Sequence, residues 1–218
     1  MLATGGYGWS GRYGVGMADS AVPSERERLL ELAAGYVLEH GIADLTLRKL
    51  GRAIGTNNRM LLYYFGTKEQ LIEHALAAAA LGFPALNSAI AALDRPDPLL
   101  DRLLAGWAAI AAEENLPFHR LFFEVFGAAA HRPGRFDRFL ASVGHDWTNR
   151  VAAALHAEGV ADPHARRLAR ELVALWRGLQ FDLLSTGDAA AVADSYAATA
   201  AAFAQRCAAA RLVDQPTS

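Results

Sequence analysis

Asn57, Asn58 and Arg59 stand in succession, with Thr56 before them and Met60, Tyr63 and Tyr64 just after. These side chains suit nucleic acid better than a catalytic centre. An asparagine amide can meet adenine, and an arginine guanidinium guanine, each through two parallel hydrogen bonds. Met60 and Thr56 can touch a thymine methyl, and the tyrosine hydroxyls can reach phosphates while their rings brace the scaffold. The surrounding charge agrees. Lys49 and Lys68 are the only lysines, and between Gly41 and Phe65 a single acid, Asp44, stands against Arg48, Lys49, Arg52 and Arg59. The net charge of -2 therefore hides a local basic patch that favours an anionic partner.

Such side chains need elements that turn them outward together. Ser24 with Glu27 forms a capping box, and Leu29, Leu32, Ala33, Tyr36 and Val37 recur at helical spacing until Gly41, which predicts a first helix. Thr46 caps a short second helix, "LRKLGRAI", with Leu47, Leu50 and Ile54 inward and Arg48, Lys49 and Arg52 outward. Gly55 breaks it. Thr56 or Asn57 caps a third helix through Tyr64, and Thr67 with Gln70 makes a second capping box that opens a fourth. Two short helices around a glycine turn, the second with a polar start, describe a helix-turn-helix over residues 46–65, whose second helix enters the DNA major groove. Lys68 lies in the first turn of the fourth helix, where its ammonium and the free backbone N–H groups favour the same phosphate. The expected DNA contacts are Thr46, Arg48, Lys49, Thr56, Asn57, Asn58, Arg59, Met60, Tyr63, Tyr64 and Lys68.

The stretch "TLRKLGRAIGTNNRMLLYYFGTKEQL" resembles the DNA-binding domain of the tetracycline-repressor (TetR) family of bacterial transcriptional regulators. Thr46, Gly55, Tyr63, Tyr64, Phe65, Thr67, Lys68 and Glu69 occupy that family's pattern. Leu62 departs from it, since the family usually carries tyrosine there, often as a DNA contact. Asn58 and Arg59 stand where small residues or lysine are common, which implies an unusual operator. The resemblance implies an N-terminal three-helix DNA-binding domain over residues 23–82 and a helical ligand-binding and dimerisation domain over residues 83–218, with repression as the outcome.

The rest of the chain is consistent with an all-α protein. Alanine-rich segments follow, punctuated at Asp97-Pro98, Asn115 before Pro117, Pro133-Gly134, Gly159, Asp162-Pro163 and Gly187-Asp188, and none alternates with period two. A lone helix-turn-helix buries too little surface for tight specific binding, so a two-fold dimer on a palindromic double-stranded operator is expected. The last two helices are rich in small residues, and Leu168, Leu172, Leu175, Leu179, Val192, Tyr196, Thr199 and Phe203 recur at interface spacing, with burial inside the same subunit as the alternative. Large side chains gather elsewhere: Trp107, His119, Phe122, Phe123, Phe126, His145, Trp147, Trp176 and Gln180 are the candidate lining of a pocket for a small, largely hydrophobic effector.

Composition excludes several alternatives. The glycine-rich segment 1–22 is expected to be a disordered tail. No apolar run is long enough to span a membrane and no signal peptide is evident, so a soluble, cytoplasmic protein without membrane partners is expected. A single cysteine, Cys207, precludes an internal disulfide framework or a thiolate zinc site. The histidines form no metal-binding pair on one helix face, and no glycine-rich phosphate loop or nucleophile elbow is present, so neither an enzyme nor a cofactor is expected.

Overall fold

The structure, a computed structural model, describes residues 23–213 except 133 and 135. The expected tail, 1–22, lies outside the described residues. The chain divides into two compact units between Gly82 and Phe83. Among the described residues every regular element is helical.

The first unit holds α1 (Glu25–His40), α2 (Leu47–Ala53), α3 (Asn58–Phe65) and α4 (Lys68–Leu81). Local chemistry sets each boundary. The Ser24 hydroxyl accepts from the Glu27 amide while the Glu27 carboxylate accepts from the Ser24 amide, so two of the amides without helical partners are satisfied at once. Thr46 caps α2, and Thr67 and Gln70 complete a second box at α4. Between α3 and α4 the chain passes through Gly66, whose φ of 78° is open to few residues other than glycine. A β-carbon there would lie 2.2 Å from Gln70 Oε1, the atom that accepts the Thr67 amide at 3.0 Å. Gly66→Ala should therefore cost the left-handed backbone penalty and the cap together, about 2–3 kcal/mol, read as a lower urea midpoint of helix loss. Gly55, also at positive φ but with open space around its α-carbon, should cost only about 1 kcal/mol when changed to alanine.

These helices close over one apolar core. Leu29, Ala33 and Val37 of α1, Leu50 of α2, Leu61 and Phe65 of α3, and Leu71, Ile72 and Ala75 of α4 are all buried. Leu61 and Phe65 lie one turn apart, so a single stripe fastens α3 to the core and leaves its opposite side free. The Arg26 guanidinium lies over the Phe65 ring, 5.3 Å from its centroid.

The second unit holds α5 (Pro84–Leu93), α6 (Leu99–Ala111), a 3₁₀ turn (Glu113–Asn115), α7 (Leu116–His131), α8 (Asp137–Ala157), α9 (Asp162–Thr186) and α10 (Ala189–Val213). Its core is rich in aromatic groups, and Tyr196, Arg102 and Asn115 make hydrogen bonds within it. Tyr196 is fully buried, with its hydroxyl accepting from Trp176 Nε1 at 3.0 Å and donating to the Leu103 carbonyl at 3.1 Å. Arg102 is buried, donates to the Leu93 carbonyl at 2.6 Å and pairs with Glu158, which also takes Arg211 from α10. Asn115 does not cap α7 with its side chain; its amide instead donates to the Ala109 and Ile110 carbonyls at the end of α6.

Candidate nucleic-acid interface

The turn between α2 and α3 is closed by the Thr56 amide on the Gly51 carbonyl, at 2.8 Å, with Gly55 at a φ of 73° between them. This brings the start of α3 against α2 and determines which side chains of α3 face outward. With about 100° between successive residues, Asn58, Leu62, Arg59 and Tyr63 fill, in that angular order, one arc of roughly 140°. All four are exposed, Tyr63 at 77% and Leu62 at 41%, while Met60 and Tyr64 are half-buried beyond the Tyr63 end of the arc. Tyr64 stands edge-on to Tyr63, ring centroids 5.0 Å apart, and so supports the exposed ring from behind.

The cationic rim is supplied by α2. Arg48 and Arg52, one turn apart, are exposed, as is Arg59, and none of the three forms a hydrogen bond or ion pair with a described residue. Lys49 is exposed and donates to the Asp44 carbonyl at 3.2 Å. A guanidinium that spends no donors on its own protein keeps its full bidentate capacity for a phosphate or a base edge.

Other expected contacts have internal duties. The Asn57 side-chain oxygen accepts from the Met60 amide at 3.0 Å, so Asn57 rather than Thr56 caps α3. That oxygen is the acceptor a two-pronged contact to adenine requires, which leaves Asn58 better placed for such a contact. The Thr46 hydroxyl is occupied by the Lys49 amide at 3.1 Å. Lys68 is half-buried, and its ammonium donates to the Leu45 carbonyl, tying the start of α4 to the segment that leads into α2. Arg52 lies outside the set expected to touch DNA, although its spacing of four from Arg48 is a signal that the sequence carries.

The second unit distributes the candidate effector residues over two aromatic groups. Trp107 and Trp176 are buried against Tyr196 and Trp147: the Trp107 and Tyr196 centroids are 5.1 Å apart, and Trp147 stands edge-on to Trp176 at 6.0 Å. Gln180 and His119 are buried as well, and His119 Nε2 lies 2.9 Å from the Ile110 carbonyl. Phe122 is the hub of the other group, touching Phe118, Phe123, Phe126 and Phe139, while Phe123 packs on Phe181. Phe126 and Phe181 are 38% and 60% exposed. His145 lies apart from both groups, in an open groove of about 330 Å³ with Gly144 and Thr148 of α8 and Arg170, Val173, Ala174 and Arg177 of α9.

Burial pushes the His119 pKa below 6.5, against a smaller opposing effect of its hydrogen bond to Ile110. The unfolded chain then binds a proton that the folded chain resists, so this contribution is fully present above pH 6.5 and is lost as the pH falls below it. Urea midpoints should drop from pH 8 to pH 5.5, and His119→Gln should flatten that dependence.

Residues 29–75, from α1 into α4, match the sequence profile of the bacterial regulatory proteins of the tetR family. That segment is a tetR-family DNA-binding domain. Solved structures of the same fold include GusR of Salmonella enterica, 19% identical over 83% of this chain and 95% of that one, with a TM-score of 0.63. A transcriptional regulator from a Rhodococcus species is 18% identical over 89% and 100% of the two chains, with a TM-score of 0.61. A Streptomyces coelicolor protein described as a transcriptional regulator is 23% identical over 84% and 98%, with a TM-score of 0.57. No curated protein sequence matches the chain. The matched domain and the shared fold support a DNA-binding transcriptional regulator, and regulators of the tetR family bind operators and typically dimerise. No helix among the described residues is long and apolar enough to cross a membrane.

Five of the eight residues expected at a subunit seam have a different place. Leu168, Leu172, Val192, Tyr196 and Phe203 are buried within the protomer, because α9 packs against α8 and α10, and α10 against α6.

Proposed function

We propose that the chain is a homodimeric repressor that holds a palindromic operator through α3 and is released by a small, largely hydrophobic effector. The observation that carries this is the exposed arc of Asn58, Leu62, Arg59 and Tyr63, flanked by arginines that have no partner among the described residues. Two such arcs about 34 Å apart would address successive major grooves on one side of B-form DNA. With the large residues of α9 and α10 committed to the core, a seam on these helices would use their exposed small residues, Ala174 and Gly178 with Ala193 and Ala197, and the apolar ring of Phe181. The phenylalanine group around Phe122 suits an apolar effector, with His145 or Gln180 as an orienting polar group. An effector that favours a different spacing of the two reading helices by about 1–3 kcal/mol would make an effective switch.

Gel shift on DNA upstream of the protein's own coding region, joined to sedimentation, tests this. Two protomers per duplex are expected, with affinity falling about 10³-fold or more between 50 and 200 mM salt. Phe126→Ala should keep operator binding and lose its release by members of an apolar small-molecule panel. A single protomer per duplex would exclude the dimer; release unaffected by Phe126→Ala and Phe122→Ala would exclude the aromatic pocket.

A further inference from the structure

Leu62 is an unusual residue for the position it holds. Its neighbour Leu61 is 1% exposed and anchors α3 to the core, whereas Leu62 faces solvent at 41%. Within the exposed arc it is not at the margin. On about 100° per residue it lies between Asn58 and Arg59, in the middle of the surface that would enter a groove deepest and lose most water there. A side chain without a single donor or acceptor thus occupies the centre of an otherwise polar face.

Resting on the reading of α3 as the DNA-reading helix, we propose that Leu62 is a specificity-determining residue that reads the C5-methyl group of a pyrimidine, thymine in unmodified DNA, in each operator half-site. The major-groove edges of guanine, adenine and cytosine present N7, O6, N6 and N4, all of which require a hydrogen-bonding partner when stripped of water. A leucine supplies none, so it discriminates against those edges by desolvating them. The thymine methyl is the one apolar feature of the unmodified edge, and leucine rewards its burial. Thymine also carries the acceptor O4, but it alone offsets desolvation with an apolar methyl, so attraction and exclusion favour the same base. The companion contact is set by geometry. Asn58 lies one turn before Leu62, and one turn of helix rises about 5.4 Å against about 3.4 Å between stacked bases, which places the methyl within one or two base pairs of the adenine that Asn58 would take. The half-site should carry an A·T-rich step flanked by a guanine for Arg59.

The methyl can be removed without disturbing any hydrogen bond, because deoxyuridine differs from thymidine by that group alone. Duplexes selected from a randomised library by the full-length protein would be resynthesised with each thymine replaced in turn by deoxyuridine, and affinities measured by fluorescence anisotropy. One thymine per half-site should respond, with a loss of about fourfold per half-site. Leu62→Ala should be insensitive at that position and Leu62→Met should retain the effect; circular dichroism of both variants checks that α3 is folded. Replacing the responsive thymine by cytosine and by 5-methylcytosine separates the methyl from the rest of the base, and the methylated base should recover part of the loss.

Insensitivity to deoxyuridine at every thymine would overturn the proposal. So would an equal loss in wild type and Leu62→Ala, which would move the contact to Met60 or Thr56. Failure to enrich any duplex would remove the DNA-reading assignment of α3 itself, a result distinct from both.

Discussion

Arg59→Ala should weaken operator binding by about 30-fold or more without altering thermal stability. A bidentate arginine–guanine contact discriminates by about 1–3 kcal/mol, and the proposed two-fold dimer would make it twice, for about 2–6 kcal/mol in all. The folded protein loses nothing comparable, since Arg59 is exposed and makes no ion pair or hydrogen bond with a described residue. Arg59→Lys should not restore binding, because an ammonium cannot reproduce the planar fork of the guanidinium. Arg48→Ala provides the contrast: removing a rim cation proposed to bind phosphate should weaken all duplexes alike and reduce the salt dependence by about one unit of slope. Anisotropy titrations against a selected duplex and a scrambled one, at several salt concentrations, separate the two behaviours. Equal losses on both duplexes for Arg59→Ala would assign that side chain to the backbone.

Tyr196→Ala should be the most damaging single change in the second unit. The ring is fully buried between Trp107 and Trp176, and burial raises the hydroxyl pKa to about 12, the Trp176 hydrogen bond opposing the shift. Truncation of such a residue costs about 3–5 kcal/mol through reduced burial and the cavity left behind. The Trp176 N–H loses its acceptor as well, for a further ~1–3 kcal/mol. Against the ~5–15 kcal/mol that holds a typical domain together, this is enough to unfold a large fraction of the unit. Tyr196→Phe isolates the polar part and should cost ~1–3 kcal/mol. Trp107, Trp147 and Trp176 lie in the second unit and the fourth tryptophan is Trp9, so urea unfolding followed by tryptophan emission reports chiefly on it. An unchanged midpoint in Tyr196→Ala would mean that the hydroxyl network and ring packing contribute little.

Caps and turns are legible in the sequence because they are local. Ser24 with Glu27, Thr46, and Thr67 with Gln70 act within three residues of themselves, and each predicted cap is formed. The inward Leu50 and Ile54 and the outward Arg48, Lys49 and Arg52 of α2 follow from helical period alone. Period does not supply α5, Pro84–Leu93, as a separate helix: Gly82 and Asp97-Pro98 mark its surroundings while its own alanine-rich composition carries little pattern. Nor can composition separate a side chain spent on the protein from one left for a partner. Asn57 and Asn58 are identical in chemistry, yet one caps α3 and the other is exposed at the head of the arc.

The same limit applies to the second unit. Large apolar residues at interface spacing suit the seam between two subunits as well as the core of one, since both bury apolar surface on one helix face. Only the packing of α9 on α8 and α10, and of α10 on α6, assigns Leu168, Leu172, Val192, Tyr196 and Phe203 to the interior. The sequence by itself determined the helical class, the capped helix-turn-helix and the basic stretch around it, because capping, period and charge are written within a few residues. Tertiary structure alone decided which donors remain open, which aromatic rings are structural, and that Leu62 stands outward among polar neighbours, because burial and hydrogen bonding depend on side chains distant in the chain.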